Sequence, residues 1–142
     1  MSEQNNSDNY SEESIAVLAQ ARQLSKHYRH AYITPEHVLL GILEKGGDDA
    51  LKIVKRGKAT TAQMTKLVEH HLREGENDIP LHVLNYSERA KRVLDAARAE
   101  SARQNAPAIA PRHLLAGLSK VPNTVAAAVL GAVDLKGDDI FS

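Results

Sequence analysis

The sequence predicts an all-α fold, and three observations carry that reading. Aromatic residues make up only 4% of the chain, while alanine, leucine and valine are abundant, a composition that leans towards helices packed closely through small side chains. Apolar residues recur at helical spacing: Val17, Ala21, Leu24 and Tyr28 line one face, and Met64, Leu67, Val68 and Leu72 another. No window of comparable length alternates with the period of two that a half-buried strand would need.

The helix starts are marked in order. Ser11-Glu12-Glu13 offers a capping hydroxyl followed by two acids at the positive end of a helix dipole, which opens a helix near 11–29. Thr34-Pro35-Glu36 repeats the device with proline in the first helical position, for a helix near 34–45. Gly46-Gly47 and Gly57 bracket a third near 48–56, and Thr60 or Thr61 opens a fourth near 60–73. Ser87-Glu88 begins a fifth near 87–104, and Pro122 separates a sixth near 111–119 from a seventh near 123–131.

The strongest internal signal is a repeat. Residues 10–43 overlie residues 86–119 at a shift of 76 with no gap, giving 13 identities in 34 positions where composition alone would give roughly two or three. The matched pairs run from Tyr10/Tyr86, Ser11/Ser87 and Glu12/Glu88 through Val17/Val93, Ala21/Ala97, Ile33/Ile109 and Pro35/Pro111 to His37/His113 and Gly41/Gly117. Two copies of one helical unit, related by a pseudo-twofold axis, follow from a repeat of this length.

The unit resembles the Clp N-terminal repeat, the substrate-receiving module at the front of Clp-type AAA+ unfoldases. The likeness is carried by the Tyr-Ser-Glu starts, by Ile33-Thr34-Pro35-Glu36-His37-Val38-Leu39-Leu40-Gly41 and its echo from Ile109 to Gly117, and by Gly131-Ala132-Val133-Asp134-Leu135. It covers about residues 10–135 and implies an all-α domain of two repeats, seven to eight helices, that binds substrate proteins or adaptors and performs no chemistry. We expect residues 1–9 to be a disordered segment, repeat one to span 10–73, a linker 74–85, and repeat two 86–142. The fourth helix of the first repeat should recur near 136–149, but the sequence stops at Ser142, so the second repeat lacks a full last helix. A groove left there would be covered by Ile140 and Phe141 or would bind a neighbouring molecule. The polar start and the stop inside the second repeat favour an independent protein over the front of a motor.

Composition excludes several functions. With 18 basic and 18 acidic side chains the chain lacks the bulk positive field of a non-specific nucleic-acid binder. The longest apolar stretch, Val125 to Leu130, is far short of the roughly 20 residues that span a bilayer, and residues 1–10 lack the features of a secretory signal. We therefore expect a soluble protein in the cytoplasm or an organelle, with no membrane or nucleic-acid partner. Zero cysteine excludes a disulfide scaffold, a thiolate zinc site and a cysteine nucleophile. No Walker, H-E-x-x-H or G-x-S-x-G motif is present, so neither an enzyme nor a cofactor is expected. The adjacent His70-His71 diverge by about 100° on a helix and cannot share a metal. His27 and His30, at i, i+3, are read as ordinary solvated histidines rather than a metal clip.

The resemblance also points to a site. In some similar proteins the glutamate after the threonine-capped helix start receives arginine-phosphorylated substrates. Thr34 and Glu36 match that position; the second repeat carries Ala110 and Arg112, and Arg112 would repel a guanidinium but suit a carboxylate or phosphate on another partner. His37 and His113 occupy one repeat position and are read as half-buried structural side chains bonded to a neighbouring helix end. Lys52, Lys55, Arg56 and Lys58 are read as a solvated basic helix end. Ile79, Pro80, Leu81, Val83 and Leu84 are too apolar for a free tether and should pack between the halves. The expected partners are Clp unfoldase or protease components, adaptors or protein substrates. The alternative is a structural accessory that stabilises such an assembly.

Overall fold

The computed structural model describes residues 9–136 and Phe141; residues 1–8 and Ile140, about which the sequence raised expectations, lie outside the described residues. Among these there are seven helices: α1 (Glu12–His27), α2 (Pro35–Lys45), α3 (Gly47–Val54), α4 (Thr61–His70), α5 (Glu88–Arg103), α6 (Pro111–Lys120) and α7 (Val125–Ala132). The starts follow the sequence signals. Ser11 Oγ accepts from the amide of Ser14 at 3.2 Å, and its counterpart Ser87 Oγ accepts from Ala90 at 3.1 Å. Thr60 Oγ1 accepts from Gln63, whose side chain reaches back to the Thr60 amide, so α4 opens with a reciprocal capping box.

The repeat is written into the bonds. Ser25 Oγ donates to the carbonyl of Tyr32 and Ser101 Oγ to that of Ala108, closing the turn after each repeat's first helix. Arg29 (φ 59°) and Asn105 (φ 54°) take the left-handed conformation at the same point of each turn. Within each α1–α2 and α5–α6 hairpin a glycine sets the approach. A Cβ on Gly41 would lie 2.6 Å from the carbonyl of Val17, and one on Gly117 2.5 Å from that of Val93. The small partners Ala21 and Ala97 are fully buried beside them, so backbone meets backbone where larger residues would hold the helices apart.

The two halves are clasped reciprocally. Ile33 donates to the carbonyl of Asn85 and accepts from the amide of Ser87; Ile109 donates to Asn9 and accepts from Ser11, all at 2.8–3.0 Å. These are short parallel bridges, Ile33 with Tyr86 and Tyr10 with Ile109. Each repeat's entry strand-like segment is thus bonded to the other repeat. One apolar core runs through both halves, from Val17, Leu39 and Met64 to Leu115, Leu130 and Leu135.

Two further contacts tie the halves together. The helix α4 packs on α2 and α7. After α7 the chain turns at Asp134 (φ 63°) and buries Leu135, and Phe141 is buried as well. That chain reaches the first repeat, where the Lys58 amide donates to the carbonyl of Val133 at 2.8 Å. The linker is held against α1: Arg22 donates to the carbonyls of Leu81 and Leu84, and Lys26 to that of Ile79. Leu84 is buried as expected, but Val83 is 57% exposed. The amides of Val83 and Leu84 both bond the carbonyl of Pro80, a tight turn that sends Val83 outwards instead of between the halves.

Candidate functional site

The start of α2 meets the start of α7. Thr124 caps α7, its Oγ1 accepting from Ala127, and Glu36 Oε2 accepts from the amide of Ala126 at 3.0 Å. Glu36 therefore does more than decorate its own helix start, which is all the local pattern showed. It satisfies a free donor on a helix of the other repeat, at the positive end of that helix's dipole. Beside this contact lies an open cleft of about 440 Å³ lined by Thr34, Pro35, Glu36, Ser87, Glu88, Arg89, Asn123, Thr124 and Val125. Three helix starts, those of α2, α5 and α7, converge there.

The pseudo-twofold axis generates a counterpart where α6 meets α3. In the position of Glu36 stands Arg112, whose backbone amide donates to Asp49 Oδ2 at 2.8 Å and whose Nη1 donates to Asp49 Oδ1 at 2.7 Å. Repeat one thus brings a carboxylate to a free amide at the start of the helix it faces; repeat two brings a guanidinium to a carboxylate in the first turn of the helix it faces. A second cleft of about 470 Å³ opens here, lined by Asp49, Lys52, Ile53, Arg56, Gln104 and Arg112. Thr34 and Glu36 share a cleft; Arg112 belongs to the other one. The residues that sequence reading missed are Ser87, Glu88, Arg89, Asn123 and Asp49. Ser87 and Glu88 were visible only as a helix start, and no local pattern says that one helix start faces another 50 residues away.

The two repeat-equivalent histidines are fully buried and bond the start of their own helix, not a neighbouring helix end. His37 Nδ1 accepts from the Thr34 amide at 2.9 Å, and His113 Nδ1 from the Ala110 amide at 2.8 Å. Histidine takes the place that glutamate or glutamine fills in a capping box. With Nδ1 an acceptor, the proton sits on Nε2. His37 Nε2 donates to His30 Nδ1 at 2.8 Å, and His30 Nε2 then donates to the carbonyl of Arg73. This chain of fixed tautomers ties the start of α2 to the start of the linker and removes His30 from the solvated role its spacing suggested. Burial, aided by neighbouring His30, lowers the His37 pKa to about 3.

In repeat two, His113 Nε2 donates to Gln104 Oε1, and Gln104 donates to Glu100. Burial, then the charge of Arg112, lowers the pKa of His113. Glu100 replaces the apolar Leu24 of repeat one. Its side chain is 1% exposed and paired with Arg103 and Lys120, and the Arg103 hydrogen bond leads in holding its pKa at about 2.

Among the described residues no three histidine or acidic side chains are grouped to hold a metal ion, and no single helix is long and apolar enough to cross a membrane. The arrangement offers two charged clefts framed by helix starts.

Comparison with known proteins agrees with this architecture. The chain is 29% identical over 119 residues to the ATP-dependent Clp protease ATP-binding subunit ClpC of Staphylococcus saprophyticus, a match covering 84% of this chain and 14% of that protein. The chain thus spans a small part of the length of that relative. Two solved structures share the fold. The N-terminal domain of the caseinolytic protease associated chaperone ClpD from Arabidopsis thaliana superposes with a TM-score of 0.69 at 22% identity, covering 94% of this chain and 92% of that one. The Hsp104 N-terminal domain from Candida albicans gives 0.75 at 20% identity, covering 94% and 87%. The family model of the Clp repeat N-terminal domain matches residues 9–137, the same stretch over which the doubled helices, the paired glycines and the reciprocal clasps are found: the chain belongs to the Clp repeat N-terminal domain family.

Proposed function

We propose that this chain is a polypeptide-recognition module of the Clp protease and unfoldase system, binding protein substrates or adaptors without catalysing a reaction. The observation that carries this reading is the cleft at Glu36. It is open and roomy, and it carries charges of both signs without any arrangement of nucleophile and base. One Glu36 oxygen is spent on the Ala126 amide; the other makes the cleft attractive to a guanidinium, while Glu88, paired with Lys91, and Arg89 stand at the rim, where Arg89 suits a phosphoryl group. A phosphorylated arginine side chain, which carries both groups, is the ligand we assign to Thr34 and Glu36.

Titration calorimetry with free phosphoarginine tests the site. Glu36→Gln keeps an oxygen for the Ala126 amide while removing the charge, so the domain should stay folded and lose no more than about 1 kcal/mol of stability. We expect binding by the wild type, weakened by roughly tenfold in the variant, the loss of one charge-assisted pair. Equal binding by both proteins, or binding by neither, removes the site.

A further inference from the structure

A second cleft opens where α3 meets α6, and at the repeat position of Glu36 it carries Arg112. The Glu36 cleft carries Glu36, Arg89 and a Glu88 carboxylate paired with Lys91 at 3.4 Å. The α3–α6 cleft is lined by Lys52 and Arg112, with Asp49 as its carboxylate. Both oxygens of Asp49 are already used by Arg112, so Asp49 serves to orient that guanidinium more than to neutralise the cleft. With Nη1 turned to Asp49, the Nε–Nη2 edge of Arg112 has no hydrogen-bond partner among the described residues, and the ion pair is about one-third exposed on the Arg112 side. That edge presents two parallel N–H donors, the geometry that takes a carboxylate side-on. Lys52 lies one helical turn beyond Asp49 on α3, exposed and without an ion pair among the described residues. A cleft of about 470 Å³ is large enough for side chains of a short peptide.

We propose that the α3–α6 cleft is a second docking site, independent of the Glu36 cleft, that holds an acidic segment of a partner protein through Arg112 and Lys52. The domain then presents two faces of opposite preference: one for a cationic or phosphorylated basic side chain, one for consecutive aspartates or glutamates. Arg112 binds one carboxylate through its free edge, and Lys52 contributes a mobile point charge at the rim. The association weakens as salt rises, because the pairs lie within reach of solvent.

The test uses the whole chain and a hexaglutamate peptide carrying a neutral dye, followed by fluorescence anisotropy and by amide chemical shifts. Binding should perturb Lys52, Ile53, Gln104 and Arg112, weaken with added salt, and be roughly fivefold weaker in Lys52→Glu, which reverses an exposed charge. Glu36→Gln should bind the peptide as wild type does, which separates this site from the one assigned above. Absence of binding to hexaglutamate would overturn the proposal. So would shifts confined to other surfaces, or capture of a phosphoserine peptide in preference to hexaglutamate.

Discussion

Replacing His37 with glutamine should flatten the pH dependence of stability. In the folded protein His37 is fully buried and keeps its proton on Nε2, with Nδ1 occupied by the Thr34 amide. A second proton would have to displace that amide, in a site shared with His30 and the ring of Tyr28. The folded pKa accordingly lies at about 3, against 6.5 for the ordinary group. Between those values the unfolded chain holds a proton that the native state refuses. Stability is therefore fully present above pH 6.5 and falls as the pH drops towards 3. Each pH unit in that window costs about 1.4 kcal/mol, so about 2 kcal/mol is lost by pH 5 through this residue. Glutamine at the third helical position can still accept from the Thr34 amide but does not titrate. Urea unfolding followed by far-ultraviolet circular dichroism at pH 7.5, 6 and 5 should show the wild type losing about 2 kcal/mol more than His37→Gln over that range. Parallel pH profiles for the two proteins, or a wild type that gains stability on acidification, would refute the reasoning.

Further outcomes follow from the same contacts. Ser14→Ala, which copies Ala90 of the second repeat, removes a buried hydroxyl with no partner among the described residues and should raise stability by about 1 kcal/mol in urea melts. Gly41→Ala and Gly117→Ala should each lower stability by about 1–3 kcal/mol despite alanine's better helix propensity, because the added Cβ meets a backbone carbonyl; a higher melting temperature for either would contradict the close approach. Glu100→Gln should cost about 1–3 kcal/mol at pH 7, the low end for a broken buried ion pair because Arg103 and Lys120 remain partly hydrated. With the native pKa held at about 2 against an ordinary 4.5, the carboxylate's contribution is complete above pH 4.5 and disappears as the pH falls through 2, so the variant and the wild type should converge in strong acid.

What could be read in the sequence is what is local or duplicated. Helix starts are short-range chemistry, and Ser11, Ser87, Thr60 and the prolines at 35 and 111 announce them within four residues. The 76-residue repeat carried longer-range information, because the pairing of Val17 with Gly41 in one half must recur as Val93 with Gly117 in the other. The site was legible only in part. Thr34 and Glu36 could be singled out, but that Glu36 reaches the amide of Ala126, 90 positions away, depends on the packing of two repeats. The same is true of Arg112 on Asp49. The histidines show a different limit: His37 stands where capping glutamates stand, yet its bond to His30 requires a turn geometry that no periodicity encodes.

We propose above all that the Glu36 cleft grips other polypeptides. Backbone amide shifts of the whole chain, recorded as an unfolded arginine-phosphorylated protein is added, test it most directly. Saturable shifts are expected at Thr34, Glu36, Ser87, Glu88, Arg89, Asn123 and Thr124, abolished when the phosphates are removed. Shifts that spread over surfaces outside that cleft, or a spectrum unchanged at saturating ligand, would contradict it.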